Sequence, residues 1–216
     1  MNKQSKVCYT AIFGPYDDLK EPAIIPDGWR FICYTDQPFT SNVWEVVYTP
    51  VPEGIDPQRL ARWYKIMHWV DWEYSIWIDA AFQINIDLND WWNRTYHMPF
   101  SCAKHPLRTC VYREIASCLA NNRGSVDELL KQDQAYKAEG VPDHNDRIIT
   151  SGVLMRHNTP TCIEMCEKWW QEVAKYSVRD QVAFAKVSIG YKIHTFVWDY
   201  SQSRELKYIK HIKHRH

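Results

Sequence analysis

The run Tyr74-Ser75-Ile76-Trp77-Ile78, followed at once by Asp79-Ala80-Ala81, constrains this chain more than any other stretch. A short apolar run rich in β-formers that stops on a carboxylate predicts a buried strand over Ser75–Ile78, with Asp79 at its C-terminal edge. In open α/β sheets that edge opens onto the ligand crevice. An Asp there is placed to hold a divalent metal on a phosphate, or a sugar hydroxyl. The plain alternative is a turn former, since Asp starts turns readily.

The rest of the chain alternates in the same manner. Strands are expected over Val7–Phe13, Trp29–Thr35, Trp44–Tyr48, Ile148–Arg156 and Tyr191–Val197. Helices are expected over Pro57–Val70, with Asp56 as cap and Pro57 in the first turn, and over Cys110–Ala120. Further helices fit Val126–Ala138, Thr161–Lys175 and Val178–Ser188, and a short one starting at Asp87 or Asn89. Short loops between strands and helices point to one α/β domain with a mixed, mostly parallel sheet spanning residues 1–216, with 206–216 as a basic tail. No internal repeat or low-complexity linker interrupts it.

On the first of these helices Arg59, Arg62 and Lys65 step by three and share a face. Three cations on one face, just ahead of the Asp79 strand, suit a nucleoside diphosphate or a phosphate-bearing lipid. A solvated basic face is the alternative.

Composition narrows the partners. The 26 basic and 26 acidic residues cancel, so no net field draws in nucleic acid. The 11 Trp and 13 Tyr would suit a carbohydrate ligand, whose apolar faces stack on aromatic rings, or equally a Trp-rich core. No run of 18 apolar residues offers a transmembrane helix, and residues 1–6 lack the features of a signal peptide. Seven scattered cysteines form no zinc-site spacing and are expected to be reduced and buried, as in a cytoplasmic protein or one held peripherally at a membrane.

Four segments in order carry a family resemblance. They are Tyr9-Thr10-Ala11-Ile12-Phe13-Gly14-Pro15-Tyr16-Asp17, the Arg59-x-x-Arg62-x-x-Lys65 spacing, Thr150-Ser151-Gly152-Val153 after Asp79, and the late Asp180-Gln181. With Asp79 they resemble nucleotide-sugar glycosyltransferases of the GT-A fold, nearest to a glycosyltransferase-like branch of plants, bacteria and large viruses. The resemblance spans roughly residues 6–200. It implies a nucleoside diphosphate sugar as donor and a glycan or lipid-linked sugar as acceptor.

The resemblance also implies roles. Gly14, Tyr16 and Asp36 would receive the base and ribose, while Arg59, Arg62 and Lys65 would meet the diphosphate. Ser151 and Gly152 would let substrate approach the backbone closely. Asp180 would act as general base or, with Gln181, bond the donor sugar. His105, Arg108 and Glu114 would form the acceptor or sugar face. The family's Asp-x-Asp metal motif is reduced here to Asp79-Ala80-Ala81, so Mn²⁺ or Mg²⁺ would need Asp79 and a second ligand, for which His211 in the C-terminal tail is the candidate. A frayed basic tail is the alternative.

Two other function classes fit the chain less well. A non-catalytic carbohydrate-binding protein leaves the three-cation helix unexplained. A sugar nucleotidyltransferase normally opens with a Gly-rich phosphate loop, and Gly14 stands alone near the first strand.

Overall fold

The Tyr74–Ile78 run is the central strand of a seven-stranded sheet. The computed structural model describes residues 5–144, 146–196 and, for the backbone, 209–211. In chain order the first elements are β1 (Lys6–Ile12), β2 (Trp29–Thr35), β3 (Glu45–Tyr48), α1 (Pro57–Met67), β4 (Tyr74–Ile78), β5 (Phe82–Ile84), α2 (Leu88–Thr95) and β6 (Phe100–Lys104). They are followed by α3 (Val111–Ala120), α4 (Val126–Ala138), β7 (Ile149–His157), α5 (Pro160–Lys175), α6 (Asp180–Val187), β8 (His194–Phe196) and β9 (Ile209–His211). The sheet order is β3-β2-β1-β4-β7-β6-β8, and β5 pairs with β9 in a small second sheet.

β1, β2, β3 and β4 are parallel neighbours, while β7 runs antiparallel to both β4 and β6. The chain leaves β1 toward β2 and β3, then crosses back to place β4 on β1's other side. That reversal is a topological switch point, and it opens a crevice beyond the C-terminal ends of β1 and β4. Because β7 is antiparallel, its N-terminal residues reach the same edge. Ile78 pairs with Val153, so Ser151 and Gly152 lie beside Asp79.

Both faces of β4 are covered, which is why its sequence is a continuous apolar run rather than an alternating one. On one face Trp77, Tyr9, Val7 and Leu154 pack under α1, α5 and α6 through Ile66, Cys162, Trp169 and Phe184. On the other, Ile76, Ile78, Cys33 and Met155 pack with Leu88 at the start of α2. A third cluster joins α3 and α4 to α6 through Ile115, Leu129, Tyr136 and Val182. The aromatic surplus goes largely into these layers. Trp69, Trp77 and Trp169 are among the largest fully buried side chains. All seven cysteines are free and buried.

Several boundaries differ from expectation for local reasons. α1 stops at Met67 because His68 leaves helical geometry, its ring lying against Tyr34, Trp63 and Tyr64. α2 takes Asp87 as its cap, with the carboxylate accepting from Asn89 N. β6 has no counterpart in the sequence reading. Its Ser101, Cys102 and Ala103 are weak β-formers held extended by β7 and β8 on either side.

Candidate active site

α1 presents its last turn to the sheet edge, and Lys65 is fully buried there. Its ammonium lies 2.8 Å from Asp180 Oδ2 and 3.2 Å from Asp79 Oδ1, and it donates to Ser151 Oγ at 3.0 Å. The same residue is held through its backbone. Its carbonyl, orphaned at a helix C-terminus, accepts from Tyr9 Oη at 2.9 Å and from the buried Arg156 Nη1 at 2.6 Å. These two bonds fix the backbone from which the Lys65 side chain reaches the carboxylates.

Each carboxylate beside Lys65 has a distinct setting. Asp180 is buried, and Oδ2 also accepts from Ser151 Oγ at 3.0 Å and lies 3.7 Å from Arg62 Nε, while Oδ1 accepts from Gln181 N at 3.0 Å. Burial alone would push its carboxyl up. Lys65 and Arg62, with Arg179 behind them, outweigh that and hold it far below the usual carboxylate range. A carboxylate this strongly stabilised is a poor proton acceptor. Asp180 therefore fits the fixing of Lys65 and Arg62 better than the general-base role expected of it.

Asp79 is different. Oδ1 accepts from Trp77 Nε1 at 2.6 Å and from Lys65, and its side chain remains a third exposed. Oδ2 takes no hydrogen bond among the described residues and lies beside Gly152. A Cβ on residue 152 would stand 2.4 Å from Phe82 Cε2 and 3.3 Å from Asp79 Oδ2. Close approach, not a left-handed backbone, is thus why glycine is needed. Gly152→Ala is expected to cost about 1–3 kcal/mol through overpacking and to displace Asp79. Thermal unfolding checks this, and a Tm equal to that of the wild type would show that Phe82 yields freely.

Arg62 bridges the cluster to the crevice. Burial opposes its charge, but Asp180, Asp79, Tyr16 and Asp56 prevail and raise its pKa. The loop after β1 therefore approaches the cluster, with Tyr16 about half exposed. Asp36 anchors that loop, its Oδ1 accepting from Gly14 N at 2.9 Å and from Gln37 Nε2 at 2.8 Å. Gly14 takes φ of 73°, the left-handed turn that glycine permits.

Arg59 does not join them. Its guanidinium donates to the carbonyls of Val173 and Tyr176 at the end of α5 and pairs with Glu128 of α4 at 2.8 Å. Three-residue steps turn progressively around a helix, so the shared face resolves into one structural and two site cations. Sequence spacing could not reveal that α5 ends beside Arg59.

His105, Arg108 and Glu114 do come together. Arg108 pairs with Glu114, His105 Nε2 is 3.0 Å from Arg108 Nη2, and His105 Nδ1 accepts from the amides of Leu107 and Arg108. Burial, then the Arg108 charge, lowers the His105 pKa, with Glu114 opposing. These residues line a cleft of about 370 Å³ that also takes in Thr150, Arg123 and Gln181. Gln181 donates from Nε2 to Ile149 O at 2.6 Å, fixing α6 to β7 between the two groups. Arg156, buried beneath Lys65, and Arg123 at the cleft are the residues that sequence reasoning missed. Neither lies in a motif, and only the packed helices bring them near.

Among the described residues no three His, Cys, Asp or Glu side chains gather as a ready metal centre. The backbone of His211 pairs with Phe82 in β9, but its side chain lies outside the described residues. Asp79 Oδ2 is the one carboxylate oxygen of the Lys65 cluster without a hydrogen bond among the described residues, and so the one available as a single hard-cation ligand.

No helix among the described residues is long and apolar enough to cross a membrane. Among curated proteins none matches the chain by sequence. The apo structure of WbbM, a bifunctional glycosyltransferase, aligns with a TM-score of 0.50 at 11% identity, covering 91% of this chain and 39% of that one. The apo form of mouse xyloside xylosyltransferase 1 aligns at 0.48 and 8% identity, covering 90% of this chain and 84% of that one. The chain thus spans well under half the length of WbbM, and at such identity the likeness concerns the fold, which is of the GT-A type. Residues 42–214 match the family model for the TOD1/MUCI70 glycosyltransferase-like domain, and the chain belongs to that family.

Proposed function

We propose that this protein is a glycosyltransferase that takes its sugar from a nucleoside diphosphate donor bound in the crevice beyond β1 and β4. The observation that carries the reading is the Lys65 ammonium held between Asp79 and Asp180, with Arg62, its side chain a quarter exposed, beside it. Glycosyl transfer leaves a diphosphate, and preorganised cations stabilise the charge that develops on it. Tyr16 and the Asp36-anchored turn would receive base and ribose at the end of β1. Ser151 and Gly152, packed against Lys65, Asp180, Phe82 and Asp79, shape the site from within rather than opening the β7 backbone to the donor. Asp79 Oδ2 would hold a Mn²⁺ or Mg²⁺ carried in by the donor, which would neutralise charge on the leaving diphosphate. Lys65 orients Asp79 Oδ1, and Asp180 and Ser151 fix Lys65.

A carbohydrate-binding protein without activity is the rival reading. It finds little support in the aromatic surplus, since none of the described Trp side chains is among the exposed large apolar residues.

Screening nucleoside diphosphate sugars by thermal shift tests the proposal. The right donor at one hundred times its dissociation constant adds about 2.7 kcal/mol of stability. Arg62→Ala should weaken that donor by about 1.5–3 kcal/mol, the worth of a hydrogen bond to a charged group, as read by calorimetry. No stabilisation by any nucleoside diphosphate would overturn the reading.

A further inference from the structure

The cleft lined by His105 and Arg108 carries an electrostatic imbalance that the donor crevice does not use. Two guanidinium groups, Arg108 and Arg123, line it against the single carboxylate of Glu114. That carboxylate is already engaged, paired with Arg108 and approached by Arg179 Nη2 at 3.9 Å. Arg123 is exposed, and no hydrogen bond or ion pair engages its guanidinium among the described residues. Its backbone is nevertheless fixed. Arg123 N donates to Cys118 O at 2.8 Å in the turn between α3 and α4, after Asn122 takes φ of 52°. The side chain therefore starts from a built position at the cleft rather than from a loose loop.

The cleft is also contiguous with the cluster around Lys65. Thr150 and Gln181 line it, while their chain neighbours Ser151 and Asp180 bond one another at 3.0 Å inside the cluster. Leu107 stands at its lip, 82% exposed, an apolar surface of the kind that a sugar ring covers. Its volume of about 370 Å³ lies within the range usual for small-molecule sites.

We propose that this cleft is a subsite for an acidic saccharide acceptor, a sugar unit bearing a carboxylate or a phosphate, with Arg123 reading the anionic group. The proposal rests on the glycosyltransferase reading for the word acceptor, but the preference for an acidic sugar is separable from it. Arg108 is held by Glu114 and supplies a fixed positive wall. Arg123 is the cation available for a new charge-assisted bond. Thr150 and Gln181 offer polar groups for neutral hydroxyls.

The test is a set of NMR titrations of the full chain with glucuronate, glucose 6-phosphate, glucose and inorganic phosphate. Binding of UDP and GDP is measured in parallel by calorimetry. At least one acidic sugar should bind about tenfold tighter than glucose, and whether it is the carboxylate or the phosphate identifies the group. Arg123→Gln should remove that preference while leaving glucose and nucleotide binding as they were, and Arg123→Lys should keep part of it. Equal binding of the acidic sugars and glucose, survival of the preference in Arg123→Gln, or inorganic phosphate binding as well as glucose 6-phosphate would each overturn the proposal. Loss of nucleotide binding in Arg123→Gln would also overturn it, by assigning the residue to the donor. Failure of the wild type to bind any nucleotide would instead strike the donor reading, with the acidic-sugar preference judged on its own titrations.

Discussion

Replacing Asp180 by Asn is expected to destabilise the protein by about 3–5 kcal/mol, the cost of breaking a buried ion pair from one side. Lys65 would keep Asp79 and Ser151 but lose its 2.8 Å partner, and Arg62 would lose its buried carboxylate. The sign of the pH dependence follows from the depressed pKa. Asp180 contributes its stability in full above the unfolded carboxyl value of about 3.9, and loses it only as pH falls toward the much lower folded value. The stability gap between wild type and Asp180→Asn should therefore be constant from about pH 5 upward and narrow below it. Urea unfolding of both proteins across that range is the measurement. Equal stability at neutral pH, or a gap unchanged in acid, would mean that Asp180 is not the charged partner of Lys65.

Asp79→Asn should behave in the opposite manner, folding well and turning over poorly. Its side chain is partly exposed, and an amide oxygen can still accept from Trp77 Nε1 and Lys65. What disappears is the carboxylate's negative charge, including that on Oδ2, the oxygen without a hydrogen bond among the described residues. If that oxygen serves the donor or its metal ion, turnover should fall about a hundredfold or more, the usual cost of removing a group aimed at developing charge. The Tm should stay close to that of the wild type. Assays of both proteins across a Mn²⁺ titration would decide it. Matching activities would leave Asp79 as a turn-forming residue that steadies Lys65.

These two carboxylates show why the sequence was informative to different depths. Asp79 was legible because a strand buried on both faces must be apolar, and the first charged residue after it must mark the edge. Asp180 was legible as part of an Asp-Gln pair, but its environment was not. The same carboxyl at an exposed helix start would be an ordinary first-turn acid. Burial with Lys65, Arg62 and Ser151, which come from α1 and β7, makes it an anion of unusually low pKa.

Arg59, Arg62 and Lys65 make the same point within one helix. Their spacing correctly placed three cations on α1 before the Asp79 strand. Their division of labour depended on what packs against each turn of that helix, namely the end of α5 at Arg59 and the sheet edge at Lys65. β6 went unseen because its extended form comes from β7 and β8 beside it, not from its own Ser, Cys and Ala.

The alternation of strands and helices, the buried centre of the sheet, the carboxylate at its edge and the resemblance to GT-A transferases were all legible in the amino-acid order. These follow from local propensity, burial pattern and the order of short motifs, all of which act over a few residues. Long-range packing alone set which carboxylate is buried against Lys65 and Arg62, which cation is structural, and that Arg123 and Arg156 belong near the site. Those depend on charges and hydrogen-bonding groups far apart in the chain brought within a few ångströms. Coulomb energy and desolvation follow that spatial distance, not sequence order.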